Sequence, residues 1–169
     1  MRAHDILGER LSVLLRTVKN EKNPDYALLR QLSHGLIDEL KSVGDAPSPQ
    51  DALEVLQQIF AAIGVEIFIK GKLPDNEPQA HAIADIAREA VTNAVRHSFA
   101  TQVYIDMEDT ADACMLKITD NGLPVAGTIK EGEGLRGMRK KIEPFSGVFR
   151  VEFHPRFVLT ALLPRLVVR

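Results

Sequence analysis

Residues 88–98 read Arg-Glu-Ala-Val-Thr-Asn-Ala-Val-Arg-His-Ser, and Asp120-Asn121-Gly122 and Gly132-Glu133-Gly134-Leu135-Arg136-Gly137-Met138 follow downstream. At 3.6 residues per turn a helix places Glu89, Asn93 and Arg96 or His97 along one stripe. A carboxylate, a neutral amide oxygen and a cation then lie side by side, a set that suits a magnesium-bound triphosphate. Asn93 offers Mg²⁺ a hard neutral oxygen while the phosphates supply the charge. Glu89 can orient a metal-bound water or act as a base, and Arg96 and His97 can donate to phosphate oxygens. Any one of these residues alone is as readily a solvated helix face. Their joint occurrence with the glycine segments points to a ligand.

Asp120 follows the apolar stretch Met115 to Ile118, where a strand ends and the chain turns. A carboxylate there can accept the amino hydrogens of adenine, although Asp-Asn-Gly in isolation is an ordinary turn. Gly132, Gly134 and Gly137 spell G-x-G-x-x-G. A dinucleotide fingerprint needs a preceding strand in a βαβ unit, whereas this segment follows the polar stretch from Pro124 to Glu131. The better account is a short lid from about residue 123 to 131. Gly132 and Gly134 then present backbone N–H groups to phosphates at a helix start.

The elements that must carry these groups are legible from periodicity. Ser48 is an N-cap with Pro49 at the first helical position, and that helix runs to about Ala62 and stops at Gly64. Alternation predicts strands at 65–69, 102–108, 113–119, 147–153 and 157–163, with a loop from Pro74 to Pro78 and a short helix near 134–143. The long helix between turns Ile83, Ile86, Ala90, Val91 and Ala94 inward and the Glu89/Asn93 stripe toward the ligand. Helices stacked on one face of a mixed sheet make an α+β two-layer sandwich.

Upstream, Leu7, Leu11, Leu14, Leu15 and Val18 have helical spacing, Asn20 to Pro24 reads as a turn, and Leu28, Leu29, Leu32, Leu36, Leu40 and Val43 resume it. Residues 1–45 therefore read as a helical hairpin, separate from a second domain over 50–169. The two apolar stripes are better buried by a pair of hairpins in a four-helix bundle, which predicts a homodimer. Packing of the same helices on the rest of the chain is the alternative.

With 169 residues, 45% of them apolar, the chain can build a core. A net charge of −2 offers no basic field for nucleic acid. The single Cys114 lies in an apolar stretch and reads as a buried thiol in a reducing compartment. No apolar run approaches the roughly 18–20 residues that cross a bilayer, and the expected location is cytoplasmic.

Together these segments resemble the nucleotide-binding domain of the GHKL type, shared by sensor histidine kinases, type II topoisomerases and MutL. The wording of 88–98 is closest to the histidine kinases, and Gly-Leu-Arg-Gly-Met-Arg at 134–139 matches the last glycine motif of one group of them. His4-Asp5-Ile6-Leu7-Gly8-Glu9-Arg10-Leu11 resembles the H-D-x-L-G-x-x-L signature of the kinases that pair with LuxR-type response regulators.

The resemblance implies ATP and Mg²⁺ as ligands, with Asn93 as metal ligand, Asp120 reading the adenine amino group and Gly122 admitting the base. Arg96, His97, Gly132, Gly134, Leu135 and Gly137 fall on the phosphate side. His4 becomes the phosphoacceptor, with Asp5 holding its other ring N–H. The partners implied are a second copy of the chain and a response regulator receiver domain. Three departures from the pattern stand out. Glu9 replaces the Gln or His expected for phosphatase activity and argues against it. Arg156-Phe157 replaces the Gly-Thr pair usual before the last strand. His4 lies so close to the start that the expectation is a catalytic core cut from a longer receptor. Two rivals are an anti-sigma-factor-like serine kinase, which needs no His-Asp hairpin, and a non-catalytic dimerisation and regulator-binding module with a degenerate ATP site.

Overall fold

A computed structural model describes residues 48–124 and 132–165. The 1–45 hairpin with His4 and Asp5, and residues 125–131 of the expected lid, lie outside the described residues. Two compact units are present, one ending at Val65 and the other beginning at Glu66.

The described part of the first unit is one helix, α1 (Pro49–Ala62), with an end device on each side. Ser48 Oγ accepts from the Asp51 N–H at 3.1 Å while the Asp51 carboxylate takes the Ser48 N–H, a capping box with Pro49 in the first turn. At the other end Gly64 N–H donates to Ala61 O and Val65 N–H to Phe60 O, the paired bonds of a Schellman stop. Leu53, Leu56, Ile59 and Phe60 recur at helical spacing and are buried.

The second unit contains β1 (Glu66–Lys70), α2 (Glu77–Ser98), β2 (Gln102–Asp109), β3 (Ala113–Asp120), α3 (Glu133–Ile142), a 3₁₀ turn (Glu143–Phe145), β4 (Val148–Glu152) and β5 (Val158–Pro164). The sheet order is β1-β2-β3-β5-β4. β1 pairs with β2 in parallel and every other pairing is antiparallel, so the expected mixed sheet is present. Each strand lies within a residue or so of its expected span, because alternation tracks a sheet with one covered face.

One expectation needs correction. Residues 74–78 are not all loop: α2 already begins at Glu77, with Asn76 capping it by accepting from the Gln79 N–H at 3.0 Å. Pro78 sits in the first turn, where a missing N–H breaks no intrahelical bond.

α2 packs on β2 and β3, and α3 packs on α2 and β4. The covered sheet face carries Val103, Ile105, Leu116, Ile118, Leu159 and Ala161, all fully buried, opposite Ile83, Ile86, Ala87, Ala90 and Val91 of α2. The alanines let the helix backbone approach the sheet at close-packed density. At the helix start, buried Gln79 donates through Nε2 to Pro164 O at 2.8 Å, tying α2 to the last residue of β5. On the opposite sheet face Phe68 and Tyr104 stack at 5.1 Å. The next cross-strand row there runs Lys70, Asp106, Lys117, Thr160, Arg150, and the row beyond it Glu108, Met115, Leu162, Val148, so that face mixes polar and apolar rows.

Candidate functional site

The residues singled out in the second unit lie along the C-terminal half of α2. Glu89 and Asn93, one turn apart and half-buried, face the first turn of α3. A Cβ placed on Gly134 would meet Glu89 Oε1 at 2.8 Å and Asn93 Nδ2 at 3.3 Å, so the glycine lets both side-chain ends lie against α3 without shifting. Gly132 and Gly137 have open space where a Cβ would be, and Gly132 is the N-cap of α3 with no side-chain capping bond. Gly132 brings no side chain to cap the amides of that first turn, and amides at a helix start suit an anion. Leu135 is half-buried, and Arg96 and His97 are exposed in the last turn of α2.

The other end of the line is built at Ser98. α2 stops with Phe99 in the left-handed region at φ 53°, and the chain after β3 is stitched to that corner. Asn121 Oδ1 accepts from the N–H groups of Thr101 and Gln102, both at 2.9 Å, while its Nδ2 donates to Thr101 Oγ1. Leu123 N–H donates to Ser98 O at 2.8 Å. Between them Gly122 is so tightly held that a Cβ would fall 2.5 Å from Ser98 Cβ and 2.6 Å from Ser98 O.

Asp120 is buried at this corner. Its Oδ1 accepts from the Gly122 N–H at 2.7 Å. Its Oδ2 is buried without a hydrogen-bond partner, the one such side-chain atom among the described residues. Burial pushes the carboxyl above the ordinary carboxylate range, and the Gly122 bond and the Arg156 charge offset part of that. A desolvated acceptor of this kind costs about 1–3 kcal/mol until a donor arrives. An amino group of a ligand is such a donor.

From Glu89 to Ser98 the helix advances about 13.5 Å at 1.5 Å per residue. An extended nucleoside triphosphate has that reach. As for a metal, no cluster of three or more His, Cys, Asp or Glu side chains stands ready among the described residues. The donor set fits Mg²⁺ only if phosphate oxygens complete it, with Asn93 contributing a neutral oxygen.

No family model matches the chain. It is 28% identical over 152 residues to the nitrate/nitrite sensor protein NarX of Escherichia coli K12, across 87% of this chain and 25% of NarX. It is 34% identical over 179 residues to the sensor histidine kinase YvfT of Bacillus subtilis, across 95% of this chain and 48% of that protein. The chain is a relative of the sensor histidine kinases. It spans between a quarter and about half the length of these two relatives. Among solved structures, the histidine kinase domain of the blue-light activated histidine kinase from Erythrobacter litoralis EL346 matches with a TM-score of 0.60 at 15% identity, over 96% of this chain and 94% of that one. A likeness at that identity shows a shared fold.

Glu89, Asn93 and Gly134 thus meet at one end and Asp120 and Gly122 at the other, whereas none of these contacts joins Arg96, His97, Leu135 or Gly137 to either group. Sequence reasoning missed Ser98 and the clamp made by Asn121. Ser98 carries no signal, since it acts through its carbonyl. Asn121 was visible only as part of a turn.

Proposed function

We propose that the chain is the core of a histidine kinase: it binds Mg·ATP along α2, phosphorylates His4, and passes the phosphoryl group to an aspartate of a response regulator receiver domain. The observation that carries the reading is the layout of α2, which has a desolvated carboxylate oxygen of Asp120 at one end and Glu89, Asn93 and the uncapped first turn of α3 at the other.

In this reading Asp120 Oδ2 accepts from the adenine amino group, and Gly122 leaves room for the base at the strand end. The N–H groups after Gly132 receive phosphate oxygens, and Arg96 and His97 add donors from the last turn of α2. Asn93 gives its amide oxygen to Mg²⁺, which neutralises charge on the triphosphate when bound. Glu89 holds the water around it. His4, through a neutral ring nitrogen, attacks the γ-phosphorus, the bond from that phosphorus to the β–γ bridging oxygen breaks and ADP leaves, while Asp5 steadies the opposite ring N–H. These last two roles rest on the sequence signature. A homodimer formed through the 1–45 hairpin, with the ATP domain over 50–169, completes the proposal.

The deciding experiment is incubation of the full chain with γ-labelled ATP and Mg²⁺. Label that is acid-labile, alkali-stable and absent from His4→Gln is expected, with ATP binding retained in that variant and lost in Asn93→Ala. Acid-labile label persisting in His4→Gln would move the acceptor elsewhere. ATP binding with no label at all would favour the non-catalytic module.

A further inference from the structure

We propose that Asp85 is a positioning residue for the phosphate end of the site, holding α3 in register along α2 through Lys141. The proposal rests on the nucleotide reading above and assigns a residue that neither the motif nor the metal and base contacts include.

Asp85, Glu89 and Asn93 follow one another at intervals of four on α2, so Asp85 stands one turn before Glu89 on the same stripe. Its two oxygens are divided between helices. Oδ2 accepts from Lys141 Nζ of α3 at 2.6 Å, and Oδ1 accepts from Arg88 of its own helix at 3.1 Å. On α3, Gly134, Met138 and Lys141 share one face. Gly134 lies against Glu89 and Asn93, Met138 is buried, and Lys141 reaches Asp85. The two helices therefore run antiparallel along one seam, with the ion pair at one end and the phosphate-facing amides at the other.

Apolar contact holds α3 down but sets its position along α2 weakly, because α3 buries only Met138 and Ile142. Ridges of side chains can slide past one another by a helical step. A directional bond between charged groups penalises such a slide. Arg139 adds a second tie, to β4, by donating to Phe149 O at 3.2 Å with its guanidinium 5.2 Å from the ring centre. The Asp85–Lys141 bond refers α3 directly to α2, where the proposed phosphate ligands sit. Moving the amides of the first turn by a fraction of an ångström would cost phosphate affinity and leave the Asp120 end untouched.

Asp85→Asn tests this by the sign of its effect. Removing a negative charge from the helix face that carries the proposed phosphate ligands strengthens binding of an anion if charge alone matters, whereas loss of the register weakens it. Calorimetric titration of the full chain with Mg·ATP, Mg·ADP and adenosine at low and high salt is the measurement. The expected result is an approximately two- to fivefold weaker affinity for ATP and ADP at low salt, the range open to an exposed ion pair. Adenosine binding should be unchanged, the deficit should shrink at high salt, and Lys141→Met should match Asp85→Asn while Lys141→Arg restores the wild-type value. Tighter ATP binding by Asp85→Asn, or an equal loss for adenosine, would overturn the proposal. A wild type that binds none of the three ligands would instead overturn the nucleotide reading on which it stands.

Discussion

Gly134 and Glu89 meet so closely that the smallest possible side chain on the first would press on the carboxylate of the second, at 2.8 Å from Oε1. The clash is with the end of a movable side chain, so the fold can absorb it. Alanine also favours a helix over glycine by roughly 1 kcal/mol. Gly134→Ala should therefore melt at the same temperature or slightly higher, yet autophosphorylate about tenfold to a hundredfold more slowly, since small misplacements at a reacting centre are costly. Thermal melting and an initial-rate assay on the same preparation check both halves. A variant with normal rates would separate Gly134 from the site.

Gly122→Ala should fail differently. Its Cβ would meet the Ser98 carbonyl at 2.6 Å, and backbone held by the Leu123 and Asn121 bonds has little room to retreat. A loss of about 1–3 kcal/mol is expected, as for other overpacked sites. Urea unfolding should show a lower midpoint at unchanged slope. An unaltered midpoint would mean that the corner is looser than its hydrogen bonds indicate.

Asp120 should make both stability and base binding depend on acid. Its carboxyl is raised by burial, so the folded chain holds this proton more tightly than the unfolded chain. The stabilisation this provides is complete below the unfolded value and is lost as pH rises through the folded one. Relative to Asp120→Asn, the wild type should lose stability across that acid window and level off above it. Adenosine affinity should run the opposite way, falling as protonation of Oδ2 removes the acceptor. Urea midpoints and calorimetry at a series of pH values measure the two slopes, and either slope reversed would contradict the assignment.

Cys114 should be chemically silent in the folded protein. It is fully buried in β3, and burial together with the Asp109 charge pushes its thiol up to about 11. Labelling by a thiol reagent at neutral pH should follow the unfolded fraction as urea is added. Rapid labelling of the native chain would show that this end of β3 opens to solvent.

Much of this molecule could be read from residue order because the information is local. Ser48 and Asp51 cap α1 across one turn, Gly64 stops it, and the alternation of Val103, Ile105 and Met107 marks which side of β2 is covered. Glu89 and Asn93 share a stripe whatever surrounds the helix, as a consequence of 3.6 residues per turn. The loop expected over 74–78 gives way to α2 at Glu77, because a proline in a first turn and one in a loop look alike without the capping bond of Asn76.

What residue order alone determined was therefore the set of elements, their apolar faces and the chemical inventory of the site. What the tertiary structure decided was which of those groups meet. The 2.6 Å bond between Asp85 and Lys141 joins residues 56 apart, and the Gln79 bond to Pro164 spans 85. The pressure of Gly122 on Ser98 and the desolvation of Asp120 Oδ2 likewise appear only when β3 is laid beside the end of α2. Periodicity is a property of one element, whereas contact distance and desolvation arise from the packing of several, and only that packing turns a glycine into a required gap and a carboxylate into an acceptor awaiting its donor.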